Sequence, residues 1–202
     1  MYCPLTRGEA GSDGTPPEQS ATIREAEERE TARVVGVDTA EFLGLPDGVL
    51  EYGVPLRREI TRVVRRHKPE IVITLNFAER WAGGGFNTAD HIACGRATMD
   101  AVRDAGNRWI FPEQISDEGL EKWDGVRAVW VDGSPDNRRA VDITDTFEPG
   151  VESLKAHRKY LDRLGWETFD PAESLEGMAR QTGSRLGVPM TVGLEVHDLG
   201  GG

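Results

Sequence analysis

Cysteine is nearly absent from this chain of 202 residues, which has two, Cys3 and Cys94. They lie far apart and in no metal-type spacing, which excludes a disulfide framework and a cysteine zinc centre and points to a reducing cytoplasm. Positive charge is also short, with 24 Lys and Arg against 35 Asp and Glu and a net charge of −11. A polyanion would be repelled, so neither nucleic acid nor an anionic membrane surface fits as the main partner. No apolar run approaches a membrane span, and no basic-then-apolar leader opens the chain. Repeats and low-complexity linkers are missing as well. The Gly83-Gly84-Gly85 run does not continue as Gly-x-Gly-x-x-Gly, since Thr88 takes the third position, and no phosphate-binding lysine follows. Dinucleotide and ATP binding are therefore poor readings. What is there, 38% apolar and 29% charged residues, suits one globular domain spanning 1–202.

Tyr2 to Leu5 is a short apolar stretch closed by a glycine-bounded turn, and residues 11–19 form a polar loop broken by Pro16 and Pro17. Ser20 and Thr22, the latter paired with Glu25, predict a helix start that runs to about Val35 and places Arg24 in its first turn. Glu41 to Leu43 reads as a short strand, and Leu56, Ile60, Val63 and Val64 as a helical stripe stopped at Pro69. Ile71 to Leu75 is a buried-strand run. Ala93, Ala97, Ala101 and Ala105 repeat every four residues, a flat face that lets a helix approach a sheet. Val126–Val131, Ala140–Ile143 and Thr191–Val196 read as strands; Leu154, His157, Leu161 and Leu164 mark one helix and Ala172–Leu186 another. Strand, turn and helix recurring in this way predict an α/β fold, a mostly parallel sheet with helices on its faces.

In such sheets ligands bind beyond the carboxyl ends of the strands. The turns carrying Glu9, Asp47 and Asp90-His91 all map there, and Arg24 opens toward the same rim. Asp90 and His91 follow the glycine loop and begin a helix, where the backbone field favours a carboxylate and leaves His91 the neutral ring that binds a metal. Each residue also has a plain structural reading: a turn-capping Glu9, a surface Arg24, an Asx turn at Asp47 and a packed core His157. Trp81 can stack on a sugar ring or simply pack its loop, and Cys94 suits a small buried side chain.

The ordered pieces Leu5-Thr6-Arg7-Gly8-Glu9-Ala10-Gly11, Arg24-Glu25-Ala26-Glu27, Phe42 to Gly48, Lys68 to Thr74, Ala89-Asp90-His91, Val141 to Asp145 and Leu154 to His157 resemble the PIG-L/LmbE-like zinc-dependent N-deacetylases. The resemblance implies a Rossmann-like three-layer fold and removal of an N-acetyl group from an amino-sugar conjugate. It implies one Zn2+ with His91 as a ligand, Asp90 beside it as a catalytic orienting carboxylate, and Glu9, Arg24 and Asp47 lining the sugar pocket. The implied partner is a small amino-sugar molecule, and a homo-oligomer is compatible.

Two departures from the family pattern stand out. Thr88 occupies the place of a histidine that stabilises the oxyanion, and Phe86 stands where some relatives have tyrosine. The family's His-Pro-Asp-Asp motif, source of two further ligands and the base, has no match: no His precedes His67 and no Asp precedes Asp13. Zinc catalysis needs about three protein ligands. On this reading the first strand is missing, the native protein begins upstream, and activity depends on those residues. The alternative is a catalytically inactive sugar-binding relic.

Overall fold

The computed structural model describes residues 1–163, 169–184 and 187–200. Leu164 and Leu186 of the expected elements lie outside the described residues. Four strands, β1 (Ile71–Leu75), β2 (Ala128–Asp132), β3 (Arg139–Asp142) and β4 (Thr191–Asp198), form one sheet in the order β1-β2-β4-β3. β1 pairs parallel with β2 and β2 pairs antiparallel with β4, so the sheet is mixed. The chain divides into two compact units, Met1–Gly48 with Val141–Val192, and Val49–Ala140 with Gly193–Gly202.

In the first unit, residues 2–5 and 39–45 run side by side in parallel. Tyr2 N–H donates to Thr39 O, and the N–H groups of Glu41, Leu43 and Leu45 donate to the carbonyls of Tyr2, Pro4 and Leu5. Only Tyr2 and Ala40 form a bridge, because Pro4 has no N–H to return. Helix α1 spans Pro17–Val34 with Pro17 at its start, earlier than the capping-box pattern predicted. Proline's fixed φ suits a first helical position, and the Thr22 hydroxyl donates back to Glu18 O inside the helix instead of capping it. Arg24 consequently lies about two turns into α1, not in the first turn.

The second half of this unit holds α5 (Phe147–Lys155), α6 (Arg158–Arg163) and α7 (Pro171–Gly183). α5 packs on α1 through the buried Val151 and Ser153. The single helix expected through Leu154 and Leu161 is broken at Ala156-His157. Thr31 Oγ1 donates to Ser153 O, the carbonyl that His157 N–H would use in a continuous helix, and His157 N–H turns to Leu154 O. α7 begins at Pro171 behind Asp170, whose carboxylate accepts from the N–H groups of Ala172 and Glu173.

In the second unit, α2 (Val54–His67) buries Leu56, Ile60, Val63 and Val64 and packs on α3 (Ala89–Asp104), whose Ala93, Ala97 and Ala101 are buried. Lys68 closes α2 in a left-handed conformation (φ 50°) ahead of Pro69. Arg65, in the last turn of α2, is buried beneath α3 and the short helix α4 (Glu113–Ser116). Its guanidinium donates to five carbonyls, of Asp104, Ala105, Asn107, Ile110 and Phe111, and to Gln114 Oε1. Burial lowers its pKa, with Asp104 and Glu113 opposing the shift.

β1 lies at the edge of the sheet. Thr74 meets Cys94 of α3, and burial pushes the Cys94 thiol up. Ile71, Ile73 and Leu75 alternate onto the opposite face, where they are 38%, 65% and 45% exposed. Parallel strands are normally covered on both faces, so this one is bare for its type.

Candidate functional site

Each predicted site residue belongs to one of the two units. In the second unit, the site is built where β1 and β2 end. Asn76 follows β1, is buried, and donates its backbone N–H to Asp132 O at 2.8 Å. Its side chain folds the next turn, with Nδ2 donating to Arg80 O and Oδ1 accepting from Ala78 N–H. The glycine run then forms a hairpin tip: Arg80 bridges Phe86, Trp81 N–H donates to Gly85 O, and the Arg80 guanidinium lies 4.0 Å from the Phe86 ring centre. Thr88 caps α3 by accepting from His91 N–H.

The local hydrogen bonds determine which ring nitrogen of His91 carries a proton. Asn87 Nδ2 faces two carbonyls, Asn76 O at 2.7 Å and Ala78 O at 3.0 Å. Its Oδ1 accepts from Thr88 N–H at 2.9 Å, so the amide orientation leaves no choice. His91 Nδ1 lies 3.0 Å from that same oxygen and must therefore be the donor. In the neutral ring Nε2 then holds the lone pair, the arrangement in which an imidazole ligates a metal. Trp81 meets the His91 ring edge-on at 5.8 Å and packs over Gly133, where a Cβ would come within 2.7 Å of the indole.

Asp90 does not bond the His91 ring through its Oδ1, which accepts from Leu50 N–H at 3.0 Å and ties the segment before α2 to the start of α3. Asp132, at the end of β2, has its carboxyl pushed up by burial. Among the described residues, no group of three His, Cys, Asp or Glu is placed to hold a metal ion.

In the first unit, Glu9 and Asp47 interlock. Glu9 Oε1 accepts from Asp47 N–H at 3.0 Å and Oε2 from Arg7 N–H at 3.1 Å. Asp47 Oδ1 accepts from Thr6 Oγ1 at 2.9 Å and Oδ2 from Ala10 N–H at 3.0 Å. Each carboxylate holds the other's loop, and each keeps lone pairs beyond those used. Arg24 reaches the same loop: a Cβ on Gly8 would sit 3.0 Å from Arg24 Nε. Its guanidinium lies 3.8 Å from the Tyr160 ring centre and 3.3 Å from His157 Nδ1. Burial and then Arg24 lower the His157 pKa to about 4.

Thus the first unit gathers Glu9, Arg24 and Asp47 around one loop, and the second sets Asp90 and His91 at the carboxyl end of β1. Sequence reasoning did not single out Asn76 or Asp132. Their signal was position alone, immediately after strands whose ends form the rim. A separate cavity of about 570 Å3, lined by Asp136, Arg138, Arg139, Glu195 and Val196, contains none of the predicted residues.

Comparison with known proteins identifies the fold and the family. The family model for GlcNAc-PI de-N-acetylases (PIG-L) matches residues 1–102. Diacetylchitobiose deacetylase from Thermococcus kodakarensis is 27% identical over 173 residues, 85% of this chain. The chain spans 62% of the length of that curated relative. Among solved structures, N,N'-diacetylchitobiose deacetylase from Pyrococcus horikoshii superposes with a TM-score of 0.85 at 24% identity, over 98% of this chain and 72% of its own. A conserved protein from Thermus thermophilus gives 0.73 at 27% identity, over 95% and 78% of the two chains. The 4-carboxy-2-hydroxymuconate hydratase GalB from Pseudomonas putida gives 0.72 at 16% identity, over 96% and 82%, so the fold also carries another reaction. With the family's α/β fold and a family model covering residues 1–102, the chain belongs to the PIG-L family.

Proposed function

We propose that this chain is part of a hydrolase that removes an N-acetyl group from an amino-sugar-like molecule with the help of one zinc ion. The observation carrying this reading is the His91 ring, held through Nδ1 by Asn87 with Nε2 bearing the lone pair. The names of the relatives, two diacetylchitobiose deacetylases, supply the substrate class. Glu9 and Asp47 have lone pairs left for sugar hydroxyls, and Arg24 has N–H donors for a hydroxyl pair. Asp90 braces the helix start that presents His91. Cys3 and Cys94 form no disulfide, in keeping with a cytoplasmic setting. Among the described residues no helix is long and apolar enough to cross a membrane.

The described residues do not by themselves fit a zinc ion. A hydrolytic zinc site needs about three protein ligands and a base beside the metal-bound water. His91 is one donor of the right kind, and nothing among the described residues completes the set. We assign the remaining ligands and the base to residues beyond this chain. The open edge and bare apolar face of β1 offer an added strand both hydrogen-bond partners and contact area. The incomplete ligand set equally favours a second reading, a sugar-binding relic of the same fold.

Zinc content and acetate release from N,N'-diacetylchitobiose decide between them. A protein extended upstream in frame should hold about one zinc per chain and release acetate. His91→Ala in that protein should abolish the zinc; retained metal rules His91 out. Sugar binding without zinc or acetate release establishes the relic.

A further inference from the structure

His157 is used by nothing in the proposed chemistry, yet its partners determine both of its ring nitrogens. Thr31 Oγ1 has a single hydrogen and gives it to Ser153 O at 3.2 Å. The same oxygen lies 3.1 Å from His157 Nε2, so Nε2 must carry the proton that it accepts. That leaves the lone pair on Nδ1, where Arg24 Nη1 donates at 3.3 Å. A one-way relay results, from Arg24 through His157 and Thr31 to the Ser153 carbonyl at the end of α5. The ring is neutral near pH 7, which the relay requires.

The guanidinium is held on further sides. Tyr160 lies against its face at 3.8 Å, and Gly8 lies so close that a methyl group there would crowd Nε. Tyr160 in turn touches Gly11, where a Cβ would meet the ring at 3.4 Å. The loop between Gly8 and Gly11 is the one whose Glu9 interlocks with Asp47. One of five N–H donors is spent on His157; a pair remains for a ligand with two adjacent acceptors. The Glu28 carboxylate, which Arg24 influences, and Glu9 in the loop after Gly8 oppose a phosphate and favour neutral hydroxyls.

We propose that His157 is a positioning residue that, with Tyr160, presents Arg24 to a vicinal hydroxyl pair of the amino sugar. This rests on the amino-sugar reading above. The test uses the full chain, with N-acetylglucosamine as the probe. In the unliganded wild type, nitrogen NMR should show His157 protonated at Nε2 and bare at Nδ1. His157→Leu, which keeps bulk and removes the acceptor, should weaken N-acetylglucosamine about tenfold, the loss of one charge-assisted contact. His157→Asn, whose Oδ1 takes the place of Nδ1, should restore most of the affinity. The double variant with Arg24→Ala should bind no worse than Arg24→Ala alone.

Additive losses, or a ring protonated at Nδ1, overturn the relay while the sugar reading stands. A wild type that binds no N-acetylglucosamine overturns the sugar reading and with it the role proposed for Arg24. The ring nitrogens need no variant, so a poorly folding His157→Leu does not block the decision.

Discussion

A neutral histidine buried beside a guanidinium makes stability depend on pH, and for His157 the size can be worked out. Its side chain is 14% exposed, and its pKa falls from 6.5 in the open chain to about 4, through burial first and Arg24 second. The unfolded chain therefore binds the proton more readily between those values. The contribution is fully present above pH 6.5 and is lost as pH falls toward 4. Linkage gives a loss of about 2 kcal/mol by pH 5 and about 3 kcal/mol by pH 4. Glu28 Oε2, 3.8 Å from Nε2, stabilises imidazolium and trims these figures, though burial raises its own carboxyl. Urea unfolding of the wild type and of His157→Asn, measured from pH 7.5 to 4, isolates the effect from the other carboxylates. The wild type should lose on the order of 2–3 kcal/mol more than the variant over that range. Parallel curves would show that the fold does not disfavour the His157 imidazolium, and the linkage argument would be refuted.

Other consequences follow from single residues. Arg65→Met should cost about 3–5 kcal/mol, because it strips the donor from buried carbonyls around α4; a loss below 1 kcal/mol in urea unfolding would contradict that network. Glu9→Ala and Asp47→Ala should each cost about 1–3 kcal/mol, and the double variant less than their sum by at least about 0.5 kcal/mol. Strict additivity in the same assay would mean the loops are not interlocked. Ile73→Lys, on the bare face of β1, should change stability by no more than about 0.5 kcal/mol while lowering self-association and hydrophobic-dye binding. If it unfolds the chain, that face is covered in solution.

Elements whose signal is local were legible. Ile71–Leu75 is the strand expected, since a short apolar run needs only its own residues to declare one, but it is not the buried strand expected, because it lies at the sheet edge with one face bare. The four-residue alanine repeat marked the packed face of α3. The start of α1 was misplaced because two local signals competed, and proline at the first helical position prevailed over the capping box. The break at His157 was invisible: it depends on Thr31, 122 residues from Ser153, taking the carbonyl that the helix needed. The candidate site divides the same way. Residue types and their order named Glu9, Arg24, Asp47, Asp90 and His91, whereas Tyr160 and His157 gained their roles from partners more than a hundred residues away.

The sequence by itself determined the α/β class, the main strands and helices, and which side chains carry chemistry, because periodicity and residue type act over a few neighbours. Tertiary structure alone decided the proton on the His157 ring, the mutual lock of Glu9 and Asp47, and the burial of Arg65. Those outcomes rest on counting donors and acceptors among groups tens to more than a hundred residues apart, and only the folded chain brings such groups within about 3 Å of each other.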